Sequence, residues 1–312
     1  MAKITITLNG KQIQVEAGST VLEAAKEVGV AIPTLCHHPA LSGFGACRMC
    51  VVKIEGMRNL PASCVTKVTP GMVIETHAPE VVEARRTILE LLLANHPLDC
   101  LTCDKGGDCR LQDYAYEYEV AESSFVGERH QYEIDDSSPY IIRDNNKCIL
   151  CGQCIRACSE IKGMNILGFA NRGFDTKVTP AFDVNFADSD CVDCHNCVAV
   201  CPVGALMPKE LAGKARQWEV TKHELTCTFC EFGCKFNLVK KGNEIVGVEA
   251  KSGGPGRPLC LKGRLGLDLI YNPNPTAKPL IKKNGKYVPV DWEEALRIRA
   301  IINKLNQMQV TE

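Results

Sequence analysis

The chain has 312 residues, 45 per cent hydrophobic and 23 per cent charged, with a formal net charge of −1. That balance excludes wholesale disorder, and without a basic excess nucleic acid is not an expected partner. The 19 cysteines are the outlying number, too many for ordinary usage and too thinly spread for a short disulfide scaffold. No run of about 18 apolar residues is present, so no membrane-spanning helix is expected. The opening Met1-Ala2-Lys3-Ile4-Thr5-Ile6-Thr7 lacks the apolar core of a secretory signal. The expected location is therefore cytoplasmic. In that reducing compartment, grouped cysteines read as metal ligands or redox groups rather than disulfides.

Ile4, Ile6 and Leu8 alternate with polar residues, Asn9-Gly10 marks a two-residue turn, and Ile13 and Val15 resume the alternation. This predicts a β-hairpin. Thr20 followed by Glu23 predicts a capping box opening a helix that Gly29 ends. Cys36, Cys47, Cys50 and Cys64 follow as C-x10-C-x2-C-x13-C, in a loop that carries Gly43 and Gly45. Strand, hairpin, helix and glycine-containing loop resemble the plant-type [2Fe–2S] ferredoxin. The spacing departs from that family's C-x4-C-x2-C. It resembles instead the variant at the start of the large iron–sulfur subunit of respiratory complex I. The resemblance implies backbone amides from Gly45 to Met49 aimed at the sulfurs. Zinc is the competing reading, disfavoured because its ligands usually come as two close pairs.

Val81, Val82, Ile88, Leu89, Leu91, Leu92 and Leu93 give the wide apolar face of a buried helix. Behind it stand His96, Cys100, Cys103 and Cys109, spaced H-x3-C-x2-C-x5-C. Only three cysteines fall in this run, so a four-ligand site needs His96. The pattern resembles a [4Fe–4S] site of the complex I subunit and its relatives. A neutral imidazole in place of a thiolate makes such a cluster about one charge less negative and raises its potential. A relay step and a redox-poised side cluster are both open. Gly106-Gly107 reads as relaxing this loop's turn. Asp113 to Tyr118, with Tyr114, Tyr116 and Tyr118, reads as a linker or packing segment.

Cys148, Cys151, Cys154 and Cys158 read C-x2-C-x2-C-x3-C, and Cys191, Cys194, Cys197 and Cys201 repeat it with Pro202 behind. This doubling is the signature of the bacterial two-cluster ferredoxin, in which the fourth cysteine of each run ligates the other cluster. The resemblance implies Cys148, Cys151, Cys154 and Cys201 on one [4Fe–4S] cluster. It implies Cys191, Cys194, Cys197 and Cys158 on a second. Ser159 stands where the family usually has proline, which affects a turn and not a ligand. His195, inside the second run, reads as a neighbour of the ligands or a surface residue.

Cys227, Cys230, Cys234 and Cys260 are spaced C-x2-C-x3-C-x25-C. Strand-like Phe236 to Val239 and Glu244 to Val248, split by Gly242-Asn243, lie between them, followed by a Gly/Pro turn region from Gly253 to Pro258. With Leu261-Lys262-Gly263-Arg264 after Cys260, this resembles the small N-terminal [4Fe–4S] domain of the molybdopterin oxidoreductases. A lysine at the place of Lys262 sits between cluster and pterin in that family. Lys262 is therefore a candidate for a cofactor path, the alternative being a solvated lysine beside a cluster. Lys278 to Val290 still resembles the segment that leads into the pterin domains. Asp291 and Glu294 predict the cap of a helix with Leu296, Ile298, Ile301, Ile302 and Leu305 as apolar positions. About 40 residues beyond the cluster module cannot build a pterin cavity, so no pterin is expected on this chain.

All 19 cysteines and one histidine fall into five sets of four, leaving no thiol for a nucleophile. The expected fold is α+β, a modular multi-cluster iron–sulfur protein. Its modules are a β-grasp [2Fe–2S] ferredoxin at 1–79, a helical one-histidine three-cysteine [4Fe–4S] module at 80–120 and a two-cluster bacterial ferredoxin at 138–212. A small molybdopterin-oxidoreductase-type [4Fe–4S] domain at 218–275 and a tail at 276–312 follow. One [2Fe–2S] and four [4Fe–4S] clusters would make the chain a one-electron relay. Nineteen thiolates bring its loaded charge to about −10, which favours basic patches on partners. No dinucleotide, P-loop or nucleophile-elbow motif is found.

The resemblance covers residues 1 to about 290. It takes in iron-only hydrogenases, the large complex I subunit and NAD-dependent formate dehydrogenase large subunits, the last matching most of the chain. It implies as partners a flavin (FMN) and NAD(P)-binding subunit, a small [2Fe–2S] subunit, and a ferredoxin or a pterin-binding catalytic subunit. The complex implied is an NAD(P)-linked oxidoreductase, electron-bifurcating types included, with no substrate-converting site on this chain. The alternative is the iron–sulfur part of a molybdenum or tungsten formate dehydrogenase whose pterin body is a separate chain. A zinc-stapled scaffold is the non-redox reading.

Overall fold

A computed structural model describes residues 2–250, 259–260, 262–264, 278–283, 285–296 and 298. The chain divides into two units, Met1–Arg264 and Leu265–Glu312. The first opens with strands β1 (Lys3–Leu8) and β2 (Lys11–Glu16), an antiparallel hairpin that sets Lys3 opposite Glu16. Its turn residues take positive φ, 49° at Asn9 and 79° at Gly10, the pair of angles a twisted two-residue turn requires. The alternation points Ile6, Leu8 and Val15 inward. Helix α1 (Val21–Glu27) starts with the predicted capping box: Thr20 N donates to Glu23 Oε2 at 2.7 Å, and Glu23 N to Thr20 Oγ1 at 3.2 Å. Strands β3 (Lys53–Ile54) and β4 (Val73–Glu75) complete a sheet ordered β2-β1-β4-β3, with β4 parallel to β1. Cys50 and Cys64 belong to the same packed core as Ile6, Val21 and Ile74, so the cysteine loop is fixed by the hydrophobic centre of its own module.

Helix α2 (Pro79–Asn95) begins with proline and buries Val81, Leu89 and Leu93. Of the two readings of Asp113 to Tyr118, the packing segment is the one found: it lies in helix α3 (Arg110–Glu117) and its C-cap, with Leu111 and Tyr118 buried. Both helices share one core with Leu35 and Met49 of the first cysteine loop and with Val203 and Ala205 further on.

The next segment runs β5 (Ile141–Arg143), α4 (Gln153–Arg156), β6 (Leu167–Ala170), β7 (Lys177–Pro180), α5 (Asn196–Val200) and β8 (Leu206–Pro208). β5 pairs with β8 and β6 with β7, both antiparallel. Pairing the outer strands folds the second cysteine run back onto the first, and α4 packs on α5. α4 continues into a π-helical turn, Ala157–Ile161, where Ser159 Oγ donates to Ile155 O at 3.1 Å and Arg156 O at 3.2 Å. Serine thus serves the turn at the position where proline is the family's usual residue.

Strands β9 (Val220–Thr226), β10 (Lys235–Lys241) and β11 (Glu244–Ala250) form an antiparallel sheet ordered β11-β10-β9. The turn region expected from Gly253 to Pro258 lies outside the described residues. In the second unit, β12 (Leu280–Lys283) and β13 (Lys286–Pro289) form a hairpin followed by helix α6 (Trp292–Leu296). Glu294 N donates to Asp291 Oδ1 at 2.7 Å, the cap the sequence predicts. Ile301, Ile302 and Leu305 lie outside the described residues. Among the described residues no helix is long and apolar enough to cross a membrane.

Candidate metal centres

The first four cysteines converge on Cys36. Cys47 N lies 3.5 Å from Cys36 Sγ, and the thiols of Cys47 and Cys64 both donate to that sulfur. Those two donors pull the Cys36 thiol far down, while Cys47 and Cys64 are pushed up by giving their protons to it. Cys50, with Cys64 as its nearest sulfur neighbour, is also lowered. The amides of Ala46 and Cys47 face the Cys36 sulfur, and those of Leu35 and Met49 face Cys47. Behind the loop lies Arg85 of α2, wholly buried. It donates from Nε to Met49 O (3.1 Å), from Nη1 to Tyr118 Oη (2.9 Å) and from Nη2 to Val51 O (2.9 Å).

In the second group Cys103 interacts with both Cys100 and Cys109. Cys109 is buried and Cys100 exposed. His96 caps the C-terminus of α2 and is buried, with Nδ1 unpartnered among the described residues. Burial pulls it below its ordinary value, and the charges it feels are those of Asp99, Lys147 and Asp144, not those of the cysteines. A neutral imidazole with an unpartnered ring nitrogen is the form that ligates a metal. Two close approaches need glycine. A Cβ at Gly106 would stand 2.7 Å from Cys100 O, and one at Gly204 3.0 Å from Cys103 Sγ. Gly204 follows the last cysteine of the doubled run, so the second and third modules touch at Cys103. Its signal in the sequence is the glycine of Cys201-Pro202-Val203-Gly204, which a count of cysteines passes over.

The eight cysteines of the doubled run sort into two crossed sets. Cys148, Cys151, Cys154 and Cys201 line one cavity whose other walls include Val178, Val203, Ala205 and Leu206. Cys191 has Cys194 and Cys158 as its sulfur neighbours, and Cys197 has Cys194, Cys191 and Cys158 before Cys201. Burial dominates these thiols. It pushes Cys148 up to about 12, Cys191 to about 11, and Cys154 and Cys197 well above the ordinary thiol value. Amides are nonetheless aimed at the sulfurs: Leu150 N at Cys148 Sγ (3.4 Å) and Ile166 N at Cys158 Sγ (3.3 Å). Gathered, desolvated thiols with donors in place fit a group that brings its own positive charge and turns them into thiolates.

His195, expected as a neighbour of the ligands or a surface residue, is not on the surface; it is 2% exposed at the left-handed start of α5 (φ 60°). Burial, and then the guanidinium of Arg264, pull it down to about 3. In the fifth group Cys234 has Cys227, Cys230 and Cys260 as sulfur neighbours, and Cys227 N donates to Cys234 O at 2.8 Å. Lys262 lies in a helical turn and is exposed.

Sequence reasoning missed the residues that join the modules. Arg156 donates from Nη2 to Cys36 O (2.7 Å) and to Cys151 O (3.5 Å), from Nε to Gly152 O (3.3 Å), and from Nη1 to Ser42 O. Gln153 Nε2 donates to Leu35 O at 2.5 Å. Arg216 donates to Cys103 O (2.8 Å) and Leu101 O (2.6 Å). Only the spacing of Arg156 from Cys154 sets it apart in the sequence, and no motif marks it.

Four family models match in succession. They are a 2Fe-2S iron-sulfur cluster binding domain at 1–79 and the NADH-ubiquinone oxidoreductase-G iron-sulfur binding region at 85–124. A 4Fe-4S dicluster domain at 147–205 and a molybdopterin oxidoreductase Fe4S4 domain at 221–272 complete the series. Fold and cysteine loops together define a modular iron–sulfur protein with one 2Fe-2S and several 4Fe-4S binding regions. The chain is 42% identical over 296 residues to an NADH-quinone oxidoreductase subunit of Rhizobium meliloti, covering 94% of this chain and 34% of that protein. It is 40% identical over 291 residues to the NADP-reducing hydrogenase subunit HndD of Solidesulfovibrio fructosivorans, covering 91% of this chain and 49% of that protein. A solved structure titled as an NAD+-reducing [NiFe]-hydrogenase in the H2-reduced state matches with a TM-score of 0.64 at 36% identity, covering 69% of this chain and 91% of that one. The chain belongs to the iron–sulfur family represented by that hydrogenase chain, and is similar to these NADH-quinone oxidoreductase and NADP-reducing hydrogenase subunits over part of their length. It spans between a third and a half of the length of those two curated relatives. These relatives do not favour the formate dehydrogenase alternative.

Proposed function

We propose that this chain carries single electrons through five metal clusters between a flavin (FMN) and NAD(P)-binding subunit and a second redox partner in a cytoplasmic oxidoreductase. The first set, Cys36, Cys47, Cys50 and Cys64, holds a [2Fe–2S] cluster. Four [4Fe–4S] clusters are held by His96 with Cys100, Cys103 and Cys109; by Cys148, Cys151, Cys154 and Cys201; by Cys158, Cys191, Cys194 and Cys197; and by Cys227, Cys230, Cys234 and Cys260. Clusters bound there supply one-electron storage and transfer. The chain's own residues do the rest. Buried amides and guanidiniums offset the negative charge of the thiolates, and apolar walls exclude water. The module bounds are those expected from the sequence: 1–79, 80–120, 138–212, 218–275 and a tail at 276–312. A small [2Fe–2S] subunit and a ferredoxin or separate catalytic subunit are the further partners. Lys262, two residues after Cys260 and exposed, is the candidate for a cofactor path at the fifth set.

The observation that carries this reading is the crossed sorting of the eight doubled-run thiols, in which Cys158 and Cys201 each sit among the other run's cysteines. A disulfide or nucleophile role has no use for that arrangement. The test is anaerobic purification of the native complex with metal analysis. About 18 irons per chain with a brown absorbance is the expected result. Four or five zincs, or a colourless iron-free chain, would overturn it.

A further inference from the structure

Between the fourth and fifth cysteine sets lies a buried pair that neither set needs for ligation. Arg264 follows Cys260 by four residues, and its amide donates to Cys260 O at 3.2 Å. Its side chain is 4% exposed and runs into the ferredoxin module, where Nη1 lies 2.8 Å from Nδ1 of His195. His195 is covalently next to Cys194. A guanidinium has donors only, so Nδ1 accepts and His195 is the neutral tautomer with its proton on Nε2. The sulfurs nearest in effect to Arg264 are those of Cys197 and Cys194, and its carboxylate neighbours are Glu210 and Glu249. Nε and Nη2 of Arg264 and Nε2 of His195 make no hydrogen bond among the described residues.

A purely adhesive residue at such a seam would not need to be a desolvated cation, because apolar side chains of like volume hold packed surfaces at least as well. A cation aimed beside two thiolates does something apolar packing does not. At two other seams an arginine also meets cysteine backbone, buried Arg156 and half-buried Arg216. Arg156 ties the carbonyls of Cys36 and Cys151, and Arg216 reaches the carbonyl of Cys103.

We propose that Arg264 couples the fourth set (Cys158, Cys191, Cys194, Cys197) to the fifth (Cys227, Cys230, Cys234, Cys260). It acts as a positioning residue that holds the His195 ring and completes a two-hydrogen-bond path from the Cys260 carbonyl to the neighbour of Cys194. The inference rests on the reading that both sets hold clusters. The step moves one electron and no proton: the set oxidised by one electron supplies the electron that reduces the other. Arg264 also favours the reduced, more negative state of the fourth set through its charge.

The experiment uses the full chain, iron-loaded and anaerobic, as wild type, R264M, R264K and H195L. Iron content and the count of EPR signals come first, because a wild-type chain without iron would sink the underlying reading and not this inference. With iron retained, R264M should shift the fourth set's reduction equilibrium about tenfold toward the oxidised state, about 59 mV more negative for one electron. Electron exchange between the two sets, followed by freeze-quench EPR, should slow about tenfold or more. R264K should restore most of the potential and little of the rate. H195L should slow exchange while leaving the potential near wild type. Should R264M fail to hold iron, R264K and H195L decide the matter alone. Exchange at the wild-type rate in those two, or wild-type potential and rate in R264M, would overturn the proposal.

Discussion

Replacing Arg156 with methionine should part the first cysteine module from the ferredoxin module before either unfolds. The side chain is 8% exposed, and its donors meet carbonyls at Cys36 (2.7 Å), Gly152 (3.3 Å), Cys151 (3.5 Å) and Ser42. The Cys151 contact is at the outer limit of hydrogen bonding and adds little. Each of the other three, made by a charged donor, is worth about 1.5–3 kcal/mol, and a buried carbonyl left alone costs about 1–3 kcal/mol. Methionine keeps the aliphatic stem but loses the guanidinium over Phe44, whose ring centroid lies 5.1 Å from Cζ, a cation–π contact worth about 0.5–1 kcal/mol. The gross loss would be about 4.5–9 kcal/mol from three such bonds, of which the two that cross the seam, to Cys36 O and Ser42 O, make about 3–6 kcal/mol. The seam can open and let water reach the carbonyls, and single substitutions rarely exceed about 4–5 kcal/mol. We therefore expect about 3–4 kcal/mol, expressed as loss of contact between modules. The assay is anaerobic urea unfolding of the loaded chain, followed in parallel by visible absorbance and by circular dichroism. The two transitions should separate in Arg156→Met, with the absorbance change moving to lower urea, and Arg156→Lys should fall between it and wild type. Coincident transitions at the wild-type midpoint in Arg156→Met would refute the reasoning.

His96→Cys should lower the potential of the second set, because a thiolate adds a negative charge where the imidazole was neutral. A redox titration showing an unchanged or raised potential would count against His96 as ligand. Cys197→Ala should remove one [4Fe–4S] signal from low-temperature EPR, and full retention of every signal would show the assignment wrong. The buried pair of Asp135 and Arg143, 2.9 Å apart, gives an acid-dependent step. Burial pushes the Asp135 carboxyl up, but donors from Ser137 and Phe186 and the charge of Arg143 outweigh it, leaving it below its ordinary 3.8. A depressed value means the stabilisation is fully present above about pH 4 and is lost as the pH falls through the lowered value. Asp135→Asn should erase that component of acid unfolding, and an identical acid profile in the variant would contradict the assignment.

The parts of this fold legible in the sequence are those encoded within a few residues. Asn9-Gly10 supplies the two positive φ angles of its turn, Thr20 and Glu23 close a cap three residues long, and each cysteine group announces itself by spacing. The crossing of the doubled run follows from a resemblance to the two-cluster ferredoxins rather than from spacing alone. What stays hidden is non-local. The pairing of β5 with β8 joins three-residue strands too short to show a period. Asp113 to Tyr118 reads as a linker or a packing segment, and its polarity masks the partners that make it the second. Tyr114 Oη accepts from Thr34 N, 80 positions earlier, and Tyr118 Oη accepts from Arg85. Arginine is seldom fully buried, so Arg85, Arg156 and Arg264 cannot be told from surface residues until the neighbouring loops are in place.

Those arginines and the thiols pose the same electrostatic problem with opposite sign. Without metal, burial drives Cys148, Cys154 and Cys197 toward the neutral thiol, so the desolvated cation of Arg264 is left with Glu210 and Glu249, and that of Arg156 with Glu160 and the lowered Cys36 thiol, as their negative neighbours, without the further charge of loaded thiolates. Such ions cost several kcal/mol each unless compensated. Thiolates gathered around iron carry net negative charge, which removes the penalty on the cations just as the cations ease the penalty on the thiolates. Loading and module assembly should therefore be one coupled event: the seams at Arg156 and Arg264 close when metal enters and loosen when it leaves. Chelating the iron anaerobically and adding a small amount of protease should release fragments bounded near the module junctions. The loaded chain should resist the same treatment. An iron-free chain that resists cleavage as well as the loaded one would show that the modules hold together by packing alone and that the buried arginines have another cause.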